Sequence, residues 1–340
     1  MNFYFLNRMY STLFALFVFF TTSAYAEQII KLPEVSYSGT LRFEGTYTNT
    51  DIAGGATTKT SDLKASKAEI VFNAKMSDQV SGFATITWGG NDSSPVELDE
   101  TAIIISPINW PLTFSLGKQN VPFGVYHGNF MSTELTTMLG ETQEHSINAT
   151  YTAGIAKISA GIYNGDIHKT GQGDHIDAIA AKLDLNFSDN FSTGVSVISN
   201  IAESNTLQGS DGVNNSSIQD TVAGISANIL YKFDQLTFTA EYVGALDEFA
   251  AGELAFDSGN RYQPQTASFE AGYNLSPKSV IAARFETGDD GGNVIPENTY
   301  GIYYSMPLLE YLLFESEYVK SKYENNDEKD IIKLRLELEF

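Results

Sequence analysis

The chain has 340 residues, 42 of them acidic against 20 basic, a formal charge of -22, 12% aromatics and no cysteine. Without cysteine there is no disulfide framework, thiolate nucleophile or Cys-ligated zinc or iron–sulfur site. The acidic balance argues against a nucleic-acid partner, whose footprint is basic, and a hydrophobic share of 42% excludes an intrinsically disordered chain.

The chain opens on Met1–Tyr10 with one charge, Arg8. An apolar run follows from Thr12 to Phe20, and the small-x-small triplet Ala24-Tyr25-Ala26 closes it. That order reads as a secretory signal peptide, residues 1–26, cleaved after Ala26. The run is too short to cross a bilayer as a helix, so the mature chain is expected to be exported.

From Tyr37 onward a period of two dominates. Leu41, Phe43, Gly45 and Tyr47 alternate with Arg42, Glu44, Thr46 and Thr48. Ala68, Ile70 and Phe72 alternate with Lys67, Glu69 and Val71. The stretches Gly82–Trp88 and Thr101–Ile105 are strand-like, but their parity is ambiguous and their facing stays open. Alternation resumes at Leu112–Leu116, Ile147–Tyr151 and Ile179–Phe187, where Lys182 and Asp184 take the polar parity. It continues through Ala223–Phe233, Leu236–Tyr242, Ala267–Tyr273 and Tyr300–Tyr304. It ends with Leu334, Leu336, Leu338 and Phe340 against Lys333, Arg335, Glu337 and Glu339. Such a pattern is a strand with one apolar and one polar face. Helical periodicity is tolerated only at Ser132–Gly140, inside a loop.

Sixteen such segments start near Tyr37, Lys64, Val80, Glu97, Pro111, Glu144, Ile155, Ile176, Asn190, Asp220, Leu236, Gln265, Ser279, Asn298, Tyr311 and Ile331. The links alternate in length. Ser77-Asp78-Gln79, Gly154, Ser188-Asp189 and Asp234-Gln235 are tight. Asn49–Leu63, Asn120–Gln143, Ala202–Gln219 and Glu248–Pro264 are long and rich in Gly, Asn and Asp. This predicts an all-β fold: a transmembrane antiparallel up-and-down β-barrel of 16 strands, with long extracellular loops and short periplasmic turns. Hydrocarbon offers no partner to a free backbone group, so such a sheet closes on itself. Tyr and Phe near strand ends, among them Tyr37, Tyr47, Phe187, Tyr231 and Tyr273, read as aromatic girdles.

The parity opposite the apolar face would line a polar lumen. It carries Arg42, Glu44, Lys67, Glu69, Lys157, Lys182, Asp184, Glu241, Glu270, Arg284, Glu286, Glu315, Glu317, Lys333 and Arg335. Both signs are present, which suits a hydrophilic solute. The loops are acidic and would concentrate cations at the mouth. Asn120–Gln143 reads as the longest link. It is the third long loop, and its apolar content fits a segment folded into the lumen as a constriction. Pro122, Phe123, Gly124, Glu134 and Glu141 are the residues singled out there.

At these residues the chain resembles a known group. Gly117-Lys118-Gln119 leading to Pro122-Phe123-Gly124, then Leu139-Gly140-Glu141-Thr142, with Val96–Glu100 before and Tyr163-Asn164-Gly165 after, looks like the LbtU-type siderophore porin family. The resemblance implies TonB-independent uptake of a ferric siderophore of carboxylate type across a bacterial outer membrane. A final aromatic, here Phe340, resembles the signal that such barrels present to the barrel-assembly machinery. The expected partners are therefore outer-membrane lipid and lipopolysaccharide, that machinery, and a ferric siderophore or other small hydrophilic solute. A homotrimer is the analogy for sixteen strands.

Two alternatives stay open: a general diffusion or sugar-selective porin, and an outer-membrane barrel enzyme. An enzyme is not expected. His127, His145, His168 and His175 all fall in or beside loops. No cofactor and no metal site is predicted.

Overall fold

The computed structural model describes residues 33–340 apart from 91–94, 127, 174, 210–211 and 215–216. The leader, its cleavage point after Ala26, and His127 lie outside the described residues.

Sixteen strands form one closed antiparallel barrel. They are β1 (Glu34–Asp51), β2 (Thr57–Lys75), β3 (Val80–Trp88), β4 (Val96–Ile105), β5 (Leu112–Asn120), β6 (Gln143–Ala153), β7 (Ala156–Tyr163), β9 (Ala178–Ser188) and β10 (Phe191–Ile198), followed by β12 (Gly224–Phe233), β13 (Leu236–Ala245), β14 (Gln265–Ser276), β15 (Ser279–Asp289), β16 (Asn298–Leu309), β17 (Leu312–Lys322) and β18 (Glu328–Glu339). Each strand neighbours the next in sequence, and β1 closes the ring against β18, from Thr40 opposite Glu339 to Asp51 opposite Glu328. Gly39 and Phe340 finish the seam with two reciprocal backbone hydrogen bonds of 2.8 and 3.0 Å. One short helix, α1 (Leu135–Gly140), lies in the β5–β6 connection. A two-stranded sheet, β8 (His168–Lys169) with β11 (Ser217–Ile218), sits among the loops.

Burial is inverted relative to a soluble protein. On β15, Ile281 and Phe285 are exposed, whereas Arg284 is 4% exposed and Glu286 1%. Leu334, Leu336 and Leu338 on β18 are exposed likewise, while Glu315 and Glu317 on β17 and Glu337 on β18 are buried. An apolar outer face with polar groups inside is the arrangement hydrocarbon selects. Outside, rings meet in rows: Phe187 stacks on Phe191 at 5.3 Å, Phe191 meets Tyr231 edge-on at 6.3 Å, and Phe285 lies 5.1 Å from Tyr300.

Five of the seven turns at one end are two-residue links, at 154–155, 189–190, 234–235, 277–278 and 310–311; those at 76–79 and 106–111 are longer. Gly154 (φ 56°), Asp234 (φ 53°) and Tyr311 (φ 69°) take the left-handed backbone that tight hairpins need.

Four sequence expectations are corrected. The first connection is not a loop over Asn49–Leu63: β1 runs to Asp51 and β2 starts at Thr57, because Thr48–Asp51 keep pairing with β18 far past the apolar band. The tenth barrel strand begins at Gly224 rather than Asp220, since Val222 is drawn into the preceding loop, where its carbonyl accepts from Ile201 N at 2.7 Å. The connection 199–223 is therefore longer than 121–142. His168, expected in a loop, forms half of β8.

The ambiguous parity of β4 has a cause. Ala84 of β3 pairs with Thr101 and Ile86 with Leu98, so Asp99 and Glu100 together oppose one residue. This bulge switches the outward side chains from Val96 and Leu98 to Ile103 and Ile105.

Several loops share one buried apolar cluster. Ile167, Ile201, Leu207, Val213, Ile218, Phe249, Leu254 and Ile295 are buried together. A buried carboxylate, Glu203, ties this cap by accepting from the backbone of Asp166 (2.9 Å) and Ile167 (3.2 Å).

Candidate functional site

A chain segment without regular structure carries backbone N–H groups that must find acceptors once buried. Residues 121–142 meet this demand with carboxylates from the inner face of the barrel. The segment is pinched at its base by Val121 N donating to Thr142 O at 3.0 Å. Gly124 N then donates to Ser196 Oγ of β10 (2.9 Å), and Lys182 Nζ of β9 donates to Gly124 O (2.7 Å). Val125 N and Tyr126 N donate to Glu241 of β13 (2.8 and 3.0 Å). Asn129 N donates to Glu270 of β14 (3.0 Å), Met131 N and Ser132 N to Glu317 of β17 (2.7 and 3.0 Å), and Leu135 N to Glu286 of β15 (2.8 Å). Four strands thus each present one inward carboxylate to the same loop. Bonds to an ionised acceptor are the stronger kind.

Gly124 makes the first bend possible. Its φ is 66°, a region L side chains avoid.

Beyond this bend lies a buried charge cluster. Arg284 packs 4.3 Å over the Phe130 ring and donates to Ser132 O at 3.1 Å. Its guanidinium lies 3.1 Å from Glu286 and 3.7 Å from Glu134. Burial pushes the Glu134 carboxyl up to about 7; Arg284 opposes this, and the charges of Glu270 and Glu286 add to it. Burial, then the Glu241 charge, raises the Tyr126 hydroxyl above its ordinary range.

Ten of the fifteen predicted lumen residues fall into two groups, and Lys157, Lys182 and Asp184 line the cavity under the loop instead. Glu241, Glu270, Arg284, Glu286 and Glu317 point inward but are sealed beneath the loop. Arg42, Glu44, Lys67, Glu69 and Arg335 stay half-buried on the uncovered wall. There they pair with one another and with the buried Glu315 and Glu337: Arg42 with Glu337, Lys67 with Glu69 (2.5 Å), and Arg335 with Glu315 and with Glu44 (3.7 Å). Lys333 bridges the two groups, 3.7 Å from Glu317 and 3.1 Å from Ser132 Oγ.

Of the loop residues, Phe123 is buried in the core cluster. Pro122 and Gly124 face an open cavity of about 440 Å³, whose wall includes Lys157, Lys182, Asp184 and Asn228. Glu141 turns away to the neighbouring loop, where Asn205 Nδ2 donates to it at 3.4 Å.

Asn129, Phe130 and Ser132 anchor the loop to the wall and are contacts that sequence reasoning missed. The available signal was the surplus of inward acids on β13, β14, β15 and β17, with Arg284 as the inward base among those strands. Such a surplus asks for donors from elsewhere.

No protein family's sequence profile matches the chain. A curated relative is "UPF0422 protein" of Coxiella burnetii (strain RSA 493 / Nine Mile phase I), 25% identical over 303 residues. That match covers 85% of this chain and 64% of the relative, so the chain spans less than two thirds of the relative's length. Solved structures share the fold. The outer membrane channel DcaP of Acinetobacter baumannii superposes with a TM-score of 0.63 at 12% identity, over 94% of this chain and 100% of that one. The anion-selective porin of Comamonas acidovorans gives 0.66 at 11%, over 91% and 100%. Salmonella typhi OmpF in complex with daunomycin gives 0.61 at 10%, over 91% and 98%. The chain has the sixteen-stranded barrel fold of outer-membrane porins.

Proposed function

We propose that this barrel is a water-filled channel of the bacterial outer membrane, constricted by residues 121–142, that passes small hydrophilic solutes. The observation that carries this is the set of inward carboxylates holding the loop against one side of the wall. The opposite wall keeps half-buried Arg42, Glu44, Lys67 and Glu69 as a polar path. Polar interiors of large barrels conduct, whereas small ones are filled by side chains. Purified protein in planar bilayers is expected to give ohmic single-channel steps. Folded, inserted protein without conductance would refute the reading.

Several finer readings belong to the same proposal. The resemblance at Gly117–Gly124 and Leu139–Thr142 points to a ferric siderophore of carboxylate type as the solute. Its test is occlusion of the channel by such a chelate, with oligosaccharide block favouring a sugar or general diffusion porin instead. Residues 1–26 would direct export and Phe340 would engage the barrel-assembly machinery. Loss of outer-membrane protein on Phe340→Ala tests the latter. The apolar outer face would contact outer-membrane lipid, lipopolysaccharide and, in a homotrimer, a second copy. Chemical crosslinking in detergent reads the oligomer.

A further inference from the structure

We infer that the cavity under residues 120–126 is a subsite for an oxyanion group on the passing solute, with the Lys157 ammonium as its first contact. This rests on the channel reading and adds a chemical class to it.

The antiparallel register builds one inward row. Lys157 lies opposite Asp184, Asp184 opposite Gly194, Gly194 opposite Asn228, and Asn228 opposite Glu241. Lys157, Asp184, Asn228 and Glu241 all line the cavity.

The acids of this row are engaged. Glu241 Oε1 accepts from Val125 N and Ser226 Oγ, and its Oε2 from Tyr126 N. Asp184 lies 3.4 Å from Lys182 Nζ, which also donates to Gly124 O.

The donors are not all engaged. Lys157 is exposed to the cavity and makes no hydrogen bond or ion pair with the described residues. The Nδ2 of Asn228 is buried with no acceptor. An unpaired ammonium and an unmatched amide N–H on one row call for an acceptor-rich, negatively charged group. A neutral polyol supplies acceptors without the charge that the Lys157 ammonium would meet.

Gly194 leaves the gap between these groups. A Cβ there would lie 2.8 Å from both Asn228 Nδ2 and Asp184 Oδ1. Phosphate and carboxylate share the required chemistry.

The test uses the full chain in planar bilayers in potassium chloride, with phosphate or succinate added and block read against each variant's own open current. At least one of the two is expected to reduce the wild-type current in a concentration-dependent way. Lys157→Gln should weaken that block on the order of tenfold, about 1.4 kcal/mol for one charge-assisted contact. Gly194→Ala should weaken it without changing any charge. Block by phosphate alone assigns a phosphate group, and block by succinate alone assigns a carboxylate. Equal block in wild type and Lys157→Gln, or no block by either anion in a conducting channel, overturns the inference and leaves the channel reading intact. Folded, inserted protein that conducts nothing overturns both.

Discussion

Glu317 offers the sharpest test of how the loop is held. It accepts from Met131 N at 2.7 Å, from Ser132 N at 3.0 Å and from Ser132 Oγ, and Lys333 lies 3.7 Å away. Glu317→Ala removes every one of these acceptors and leaves the part-buried donors without them. A hydrogen bond to a charged group contributes roughly 1.5–3 kcal/mol. Losing two backbone bonds and one hydroxyl bond, with partial replacement by water, lowers the local opening free energy by on the order of 3–4 kcal/mol. Each 1.4 kcal/mol is about tenfold in an opening equilibrium. Amide exchange at Met131 and Ser132 should therefore quicken by roughly two to three orders of magnitude. Exchange in the β17–β18 ladder should hold. The assay is hydrogen–deuterium exchange of the detergent-solubilised barrel, with Glu317→Gln as comparator. Gln keeps one acceptor oxygen and should give a smaller change. Unchanged protection at both amides in Glu317→Ala would refute the claim that wall carboxylates hold the loop, whatever the channel conducts.

Other outcomes follow from the same geometry. Glu134, pushed up to about 7 chiefly by burial, keeps a proton in the folded state that the unfolded chain releases from about 4.5 upward. Stability should fall as pH rises between these values and level off above them, and thermal melts of Glu134→Gln should lose that slope. Arg284→Met should destabilise by about 3–5 kcal/mol in urea titrations, because Glu134 and Glu286 would then be buried without their cation. If stability is kept, the buried cluster is not an ion pair that matters. Gly124→Ala, at φ 66°, should cost about 1–2 kcal/mol in melting experiments and loosen exchange at Val125 and Tyr126. A melt and exchange pattern equal to wild type would mean the bend relaxes without strain.

The sequence by itself determined the barrel. Period-two alternation assigns Leu334, Leu336 and Leu338 to one face and Lys333, Arg335 and Glu337 to the other, and each lands where that rule puts it. Closure follows because hydrocarbon tolerates no free strand edge. Only the tertiary structure decided the facing of β4, since the bulge at Asp99–Glu100 breaks the period and a one-residue slip reverses every later side chain. It also decided which inward charges meet solvent. Parity puts Glu44 and Glu317 on the same face, yet Glu44 stays half-buried on the uncovered wall while Glu317 is sealed under Met131 and Ser132. That difference depends on where the non-helical part of a loop finds acceptors for its N–H groups. The carboxylates among those acceptors sit more than a hundred residues away in sequence, on strands brought together only by closing the ring.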